Sequence, residues 1–414
     1  MIKREAYLSR IRPFIGNELI KVLTGMRRSG KSVMLELIQE ELMEKGASAS
    51  QIVSFNFENM NNANFCTAEA LHAEISRRVA GIDGKAYLFF DEIQEVRNWE
   101  KCVNSFRVEF DCDIYITGSN AKLLSGELAT YLAGRYVEFI IYPFSYAEFS
   151  ELYSKTLPNA ASHGLFKRYL ELGGMPYLGN LLYEEEPSRQ YLRDLYNSVV
   201  LKDVVQRNEV RDADLLMRII AYVLSNAGTT FSASSISKYF RSEKRAAAAE
   251  TILNYLGYCE EAFLFYRVPR QDLQGKKILT VNEKYYIADH GIREAVIGGG
   301  MRDINLILEN IVYMELLRRG YRVTVGKLGV KEIDFICEKH GAGRVSSSKK
   351  SEKLYIQVSY LLASPETTER EFGAYECIRD NFPKYVVSLD VYDMSRNGVK
   401  HKNIEEFLLM PEWN

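Results

Sequence analysis

Short runs of consecutive apolar residues, separated by stretches with helical periodicity, fill the first 150 positions and predict an α/β domain. Leu19-Ile20-Lys21-Val22-Leu23-Thr24 reads as a strand entering Gly25. From Lys31 to Lys45 the apolar residues Val33, Met34, Leu37, Ile38 and Leu42 fall at helical spacing, and Gly46 supplies a stop. Tyr87-Leu88-Phe89-Phe90 is a second apolar run, ending in Asp91-Glu92. Asp113-Ile114-Tyr115-Ile116-Thr117 is a third, leading into Gly118-Ser119-Asn120, and Val137 to Tyr142 is a further strand.

The pattern turns helical near Asp212, where Leu215, Leu216, Ile219, Ile220 and Val223 line one face. Phe231-Ser232-Ala233-Ser234-Ser235 is a capping signal for a short helix, Ser234 to Phe240. A longer helix, Lys244 to Glu261, turns Ile252, Leu253, Leu256 and Cys259 inward, and the segments Ala262 to Val268 and Lys276 to Ala288 read as a hairpin. This order fits a winged helix. From about Met301 a helix bearing Glu309 and Glu315 precedes strands Tyr321 to Val325 and Glu332 to Cys337, a polar loop Gly341 to Lys353, and a strand Leu354 to Tyr360.

Length and composition narrow the class. A chain of 414 residues exceeds one ordinary core and predicts several domains. With 47% hydrophobic and 26% charged residues it belongs with globular proteins. Six scattered cysteines form no C-x-x-C pair and five histidines show no zinc spacing, so the thiols read as small buried hydrophobes in a reducing compartment. No apolar leader follows Met1 and no run approaches a membrane span, which leads to the expectation of a cytoplasmic protein without a membrane partner. A net charge of -2 excludes a grossly basic nucleic-acid binder but leaves room for a local basic face.

The segment Gly25-Met26-Arg27-Arg28-Ser29-Gly30-Lys31-Ser32 matches a phosphate-binding P-loop, in the strand-loop-helix order such a loop needs. Glycines let backbone amides approach phosphate oxygens, and the free N–H groups at a helix start, through Val33, face the anion. Lys31 is assigned to the β and γ phosphates of ATP and Ser32 to Mg²⁺. Asp91 is assigned to the metal's water shell, and Glu92 to the attacking water as general base, which favours ATP over GTP. Ser119, beyond a neighbouring strand, is a candidate sensor of the γ-phosphate, with an ordinary turn as the alternative. Arg135 is a candidate arginine finger, in cis or from a neighbouring subunit of an oligomer, with a surface arginine as the alternative. Arg27 and Arg28 receive no catalytic role.

Thr24 to Ser32, Phe90-Asp91-Glu92-Ile93-Gln94, Thr117-Gly118-Ser119-Asn120, Leu132-Ala133-Gly134-Arg135 and Pro143 to Phe149 together resemble prokaryotic AAA-like ATPases with a C-terminal domain of unknown function. Gly173-Gly174-Met175-Pro176 and Lys331-Glu332-Ile333-Asp334-Phe335 match later landmarks of that family. The resemblance implies an αβα ATPase core over 1–155, a helical and winged-helix-like part over 156–298, and a restriction-endonuclease-like tail over 299–414. In active PD-(D/E)XK nucleases, acids on the first helix and the next two strands hold Mg²⁺, and a lysine two residues past the last acid helps organise water. Here Asp334 fits the second position, but Gln357 and Ser359 stand where the last acid and the lysine belong, so the hydrolytic centre reads as broken.

Three functions follow as expectations. The first is a Mg²⁺-dependent ATPase whose nucleotide state rearranges the C-terminal domains, on DNA in one version. Arg241, Lys244 and Arg245 suit phosphate contacts there, with a structural or regulatory winged helix packed on the ATPase as the alternative, and Gln274-Gly275-Lys276-Lys277 at the wing tip either adds nonspecific charge or is simply solvated. The second is a slow nucleotide-dependent switch acting on a protein partner. The third, an ATP-gated nuclease, is opposed by Gln357 and Ser359.

Overall fold

Every residue of β1 (Ile20–Thr24) is buried, as a strand covered on both faces requires. In the computed structural model β1 belongs to a five-stranded sheet with β2 (Ile52–Asn56), β3 (Ala86–Asp91), β4 (Cys112–Thr117) and β5 (Tyr136–Ile140). The strands are all parallel, in the order β2-β3-β4-β1-β5. The structure describes residues 2–124, 132, 134–159, 164–245, 247–272, 277–298, 303–329, 331–340 and 351–413. The wing-tip residues Gln274 to Lys276 and most of the polar loop from Gly341 lie outside them.

Helix α1 (Glu5–Ile11) precedes the sheet; parallel pairing then forces crossovers, and α2 (Lys31–Glu44), α3 (Ala68–Val79) and α4 (Trp99–Glu109) supply them. The core on the α3–α4 side includes Phe55, Phe57, Phe90 and Phe106, whose rings lie about 6 Å apart. Because β4 lies between β1 and β3, the ends of all three strands open on one edge. The carboxyl edge of a parallel sheet is where such domains build sites.

The chain divides into two compact bodies, Met1–Pro143 with Glu261–Phe263, and Phe144–Glu260 with Leu264–Asn414. In the second, the Gly-Gly turn has a steric cause. Gly173 has φ +75°, and a Cβ there would stand 2.2 Å from Asp289 Oδ1. Gly174 N–H donates to Asp289 Oδ2 at 2.7 Å.

Helix α8 (Ala213–Ser225), strand β6 (Thr230–Phe231), helices α9 (Ala233–Ser242) and α10 (Ala249–Glu261), and strands β7 (Phe265–Asp272) and β8 (Lys277–Ile287) follow one another. They come after α5 (Tyr146–Thr156), α6 (Leu165–Leu172) and α7 (Glu185–Ser198). Ser232 caps α9 through the backbone of Ser235. The long helix starts later than its sequence suggests, at Ala249 rather than Lys244. Lys244 takes φ +60°, and Arg245 N–H donates back to Phe240 C=O at 2.9 Å, a reversal that closes α9. Arg241 and Lys244 therefore belong to the end of α9 and the turn after it, and Arg245 in that turn is paired with Asp214.

After α11 (His290–Ile297) come α12 (Ile304–Arg318), the antiparallel strands β9 (Arg322–Leu328), β10 (Lys331–His340) and β11 (Ser351–Val358), and α13 (Pro365–Gly373). Strands β12 (Lys384–Ser388) and β13 (Lys400–Asn403) then run parallel to β11, and α14 (Ile404–Leu409) closes the chain. All belong to one eight-stranded sheet, β13-β12-β11-β10-β9-β7-β8-β6. Its joint is the parallel pairing of Arg270, Gln271 and Asp272 with Val325, Gly326 and Lys327.

Candidate nucleotide site

The loop between β1 and α2 is shaped by backbone conformations that side chains resist. Gly25 has φ +135°, and a Cβ on it would lie 2.3 Å from Ile141 O. Gly30, with φ +99°, is the N-cap of α2, so the loop delivers the free amides of the first turn to its own concave side. Arg28, at φ +67°, takes the left-handed conformation without being glycine. Met26 and Ser29 are buried, and Ser29 Oγ has no hydrogen-bond partner among the described residues. Lys31 is also buried. Its Nζ donates to Gly25 O and Met26 O, each at 3.1 Å, and lies 3.9 Å from Glu92 Oε1.

The acids at the end of β3 are organised by a residue of β4. Thr117 Oγ1 donates to Asp91 Oδ1 at 2.6 Å and accepts from Glu92 N–H at 2.9 Å. Asn56, closing β2, donates to Asp91 Oδ2 at 2.9 Å. Burial pushes the Asp91 carboxyl above its ordinary range, against the hydroxyls of Thr117 and Ser32, which draw it down. Glu92 has φ +54° and ψ +51°, and its carboxylate accepts from Gln94 Nε2. A cation, two carboxylates and a run of free amides thus meet at the carboxyl edge of the sheet.

An AAA-domain family matches residues 17–150, and a domain of unknown function matches residues 163–303. An uncharacterized protein of Haemophilus influenzae is 38% identical over 411 residues, covering 99% of each chain. The chain belongs to one family with this Haemophilus influenzae protein, and its residues 17–150 form an AAA domain. Another uncharacterized relative, from Methanocaldococcus jannaschii, is 28% identical over 407 residues, covering 94% of this chain and 85% of its own. The Walker-type ATPase paby2304 of Pyrococcus abyssi shares the fold with TM-score 0.51 and 14% identity, covering 71% of this chain and 95% of that one. No helix among the described residues is long and apolar enough to cross a membrane.

Within this AAA domain the structure gathers Gly25, Met26, Ser29, Gly30, Lys31, Ser32 and Val33 with Asp91 and Glu92. Arg27 sits at the rim, 3.3 Å from Glu58. Ser119 is buried just beyond β4, two residues after Thr117. Arg135 lies elsewhere. It precedes β5, its carbonyl accepts from Ile20 N–H at the start of β1, and its guanidinium donates to Asn104 Oδ1 at 3.0 Å. The length of β1, roughly 16 Å at about 3.3 Å per residue, separates it from the P-loop of its own chain.

Three contributors receive no role from the sequence. Thr117 and Gln94 hold the acids. Arg4, buried 25 positions before Ser29, donates to Ser29 O at 3.1 Å and Tyr142 O at 2.9 Å, while its guanidinium lies 4.5 Å from the centre of the Tyr7 ring. It fastens the P-loop from behind.

Proposed function

We propose that this AAA-domain protein hydrolyses ATP with Mg²⁺. The observation that carries the reading is the Thr117 hydroxyl tying Asp91 and Glu92 together beside Lys31 at the mouth of the P-loop. The backbone amides of residues 27–33 and the Lys31 ammonium would hold the phosphates. Ser32 and Asp91 suit a hard divalent ion, being oxygen donors already within hydrogen-bonding contact of one another. Mg²⁺, when bound, supplies charge neutralisation at the phosphates. Glu92 takes the proton of the attacking water, and Gln94 holds its carboxylate until then. In this reading Ser119, two residues beyond β4, senses the γ-phosphate, and Arg135 acts as a finger only on a neighbouring subunit.

The body coupled to the nucleotide is the whole of residues 144–260 and 264–414, because one sheet joins its middle and its tail. The order helix, strand, two helices and hairpin over 213–287 supports a winged helix, with DNA as a partner. Helix α12, the antiparallel strands β9 to β11, α13 and β12 support a nuclease-like tail. Hydrolysis there is opposed by Gln357, whose Oε1 accepts from Asp334 N–H at 3.2 Å, and by Ser359.

The test is phosphate release from ATP and Mg²⁺, with and without single-stranded and duplex DNA, in the parent, Lys31→Ala and Glu92→Gln. The reading requires Lys31→Ala to lose nucleotide binding and Glu92→Gln to keep binding while losing turnover. Stimulation by DNA selects the DNA-coupled motor, and slow turnover indifferent to DNA selects a protein-directed switch. Parental turnover in Glu92→Gln overturns the assignment.

A further inference from the structure

The second body buries a group of charges that the nucleotide chemistry does not use, where β8, α12 and β10 meet. Lys284 Nζ lies 2.8 Å from Glu309 Oε1, 2.8 Å from Glu332 Oε1 and 3.6 Å from Asp334 Oδ1. Tyr286 OH donates to Glu309 Oε1 at 2.6 Å, and Val358 N–H donates to Asp334 Oδ2 at 2.9 Å. Lys284, Glu309 and Asp334 are all buried, and only Glu332 reaches toward solvent, with Arg270 Nη2 3.4 Å from its other oxygen.

Carboxyl groups gathered away from water need a cation for those that are ionised, since leaving buried charges unpaired costs several kcal/mol per ion, roughly. Two kinds can serve. A divalent ion draws hard oxygens in to about 2.0–2.6 Å. An ammonium leaves them farther out, at hydrogen-bond length. Glu309 and Glu332 stand at that length from Lys284 Nζ and Asp334 stands farther out, at 3.6 Å, and among the described residues no group of three or more His, Cys, Asp or Glu stands in metal-holding geometry. The Lys284 ammonium is also tethered to β8 and cannot dissociate.

We propose that Lys284 is the resident cation of this group. It occupies the position that a divalent ion would take among Glu309, Glu332 and Asp334, so the parent chain takes no metal there. Removing the ammonium converts the cluster into a divalent-cation site. This cluster is thereby independent of metal supply, closed to metal chemistry by a residue of the neighbouring hairpin.

The experiment uses the full chain without nucleotide and Mn²⁺ as the probe, reading Tm and the Mn²⁺ bound per chain by electron paramagnetic resonance. Lys284→Ala should lower Tm, recover most of the loss with Mn²⁺, and bind one more Mn²⁺ than the parent. The triple variant Lys284→Ala, Glu309→Gln, Asp334→Asn should show neither response. The proposal is overturned if Lys284→Ala is indifferent to Mn²⁺, or if the parent binds a Mn²⁺ that Asp334→Asn abolishes. Should Lys284→Ala fail to fold, the uncharged triple Lys284→Met, Glu309→Gln, Asp334→Asn decides. Folding of that triple supports the counter-ion role, and its failure overturns it.

Discussion

Replacing Thr117 by valine removes one hydroxyl and almost no volume, which isolates the role of that oxygen. The β-branched shape stays, so no cavity opens in a strand whose six residues are all buried. Two bonds disappear, one to the Asp91 carboxylate and one from the Glu92 amide. A bond to a charged acceptor contributes about 1.5–3 kcal/mol, and an orphaned buried N–H costs about 1–3 kcal/mol. Water admitted at the sheet edge offsets part of this, so a stability loss of about 2–4 kcal/mol is expected, a large share of the roughly 5–15 kcal/mol that holds a domain. Activity should fall for a related reason. Glu92 sits in a left-handed conformation costing about 1–2 kcal/mol, and the Thr117 bond to its N–H helps to hold it there. Relaxation of that peptide moves the carboxylate, and a shift of about 1 Å can cost on the order of 100-fold in rate. Urea unfolding and steady-state phosphate release at saturating ATP measure both effects, with Thr117→Ser as the control that keeps the hydroxyl. A valine variant with the parent's midpoint and turnover refutes the reasoning. Equal damage in Thr117→Ser shifts the cause to methyl packing.

Gly25→Ala should lose nucleotide binding and about 2–5 kcal/mol of stability, because its Cβ meets Ile141 O at 2.3 Å on a backbone with φ +135°; calorimetric titration with a nonhydrolysable ATP analogue checks it. Arg4→Met should weaken that analogue's affinity several-fold, since two buried carbonyls, Ser29 O and Tyr142 O, lose a charged donor. Asp334→Asn should change how stability depends on pH. Burial first, then repulsion from Glu309, pushes the Asp334 carboxyl up to about 8, against Lys284, which draws it down. The native state therefore binds this proton more tightly than the unfolded chain. That contribution is full below the ordinary aspartate range near 4 and is lost as pH rises to about 8. Urea midpoints should accordingly favour the Asn variant increasingly between pH 5 and 8, at about the limits of that window, and a difference independent of pH would count against the assignment.

The strands and helices of the first 150 residues are legible because each announces itself locally: an apolar run, then a glycine, then helical spacing. The order of the strands is not written locally, and the site depends on it. Placing β4 between β1 and β3 brings Thr117 to Asp91, 26 positions away. A hydroxyl closing a buried strand is the one local hint at Thr117, and it does not say which acids that hydroxyl meets. The sequence leaves Arg135 open between cis and trans, because nearness to a strand says nothing of the strand's direction. In a parallel sheet, a residue preceding β5 sits at the far edge from a loop following β1. Arg4 and Lys284 act across 25 or more positions on carbonyls or acids that no spacing rule connects. A lysine just before Tyr285-Tyr286-Ile287-Ala288 was a weak hint that its charge is buried.

The pairing of Arg270, Gln271 and Asp272 with Val325, Gly326 and Lys327 sets where this protein can be cut. A fragment ended near 299 would leave β7 with open N–H and C=O groups over that stretch, a template for aggregation. It would also carry Lys284 without Glu309, Glu332 and Asp334, an ammonium stranded among apolar neighbours. A fragment begun there would hold the acids without their cation. Neither half is a module for exchange, so chimeras and truncations of the second body should keep residues 144–414 intact.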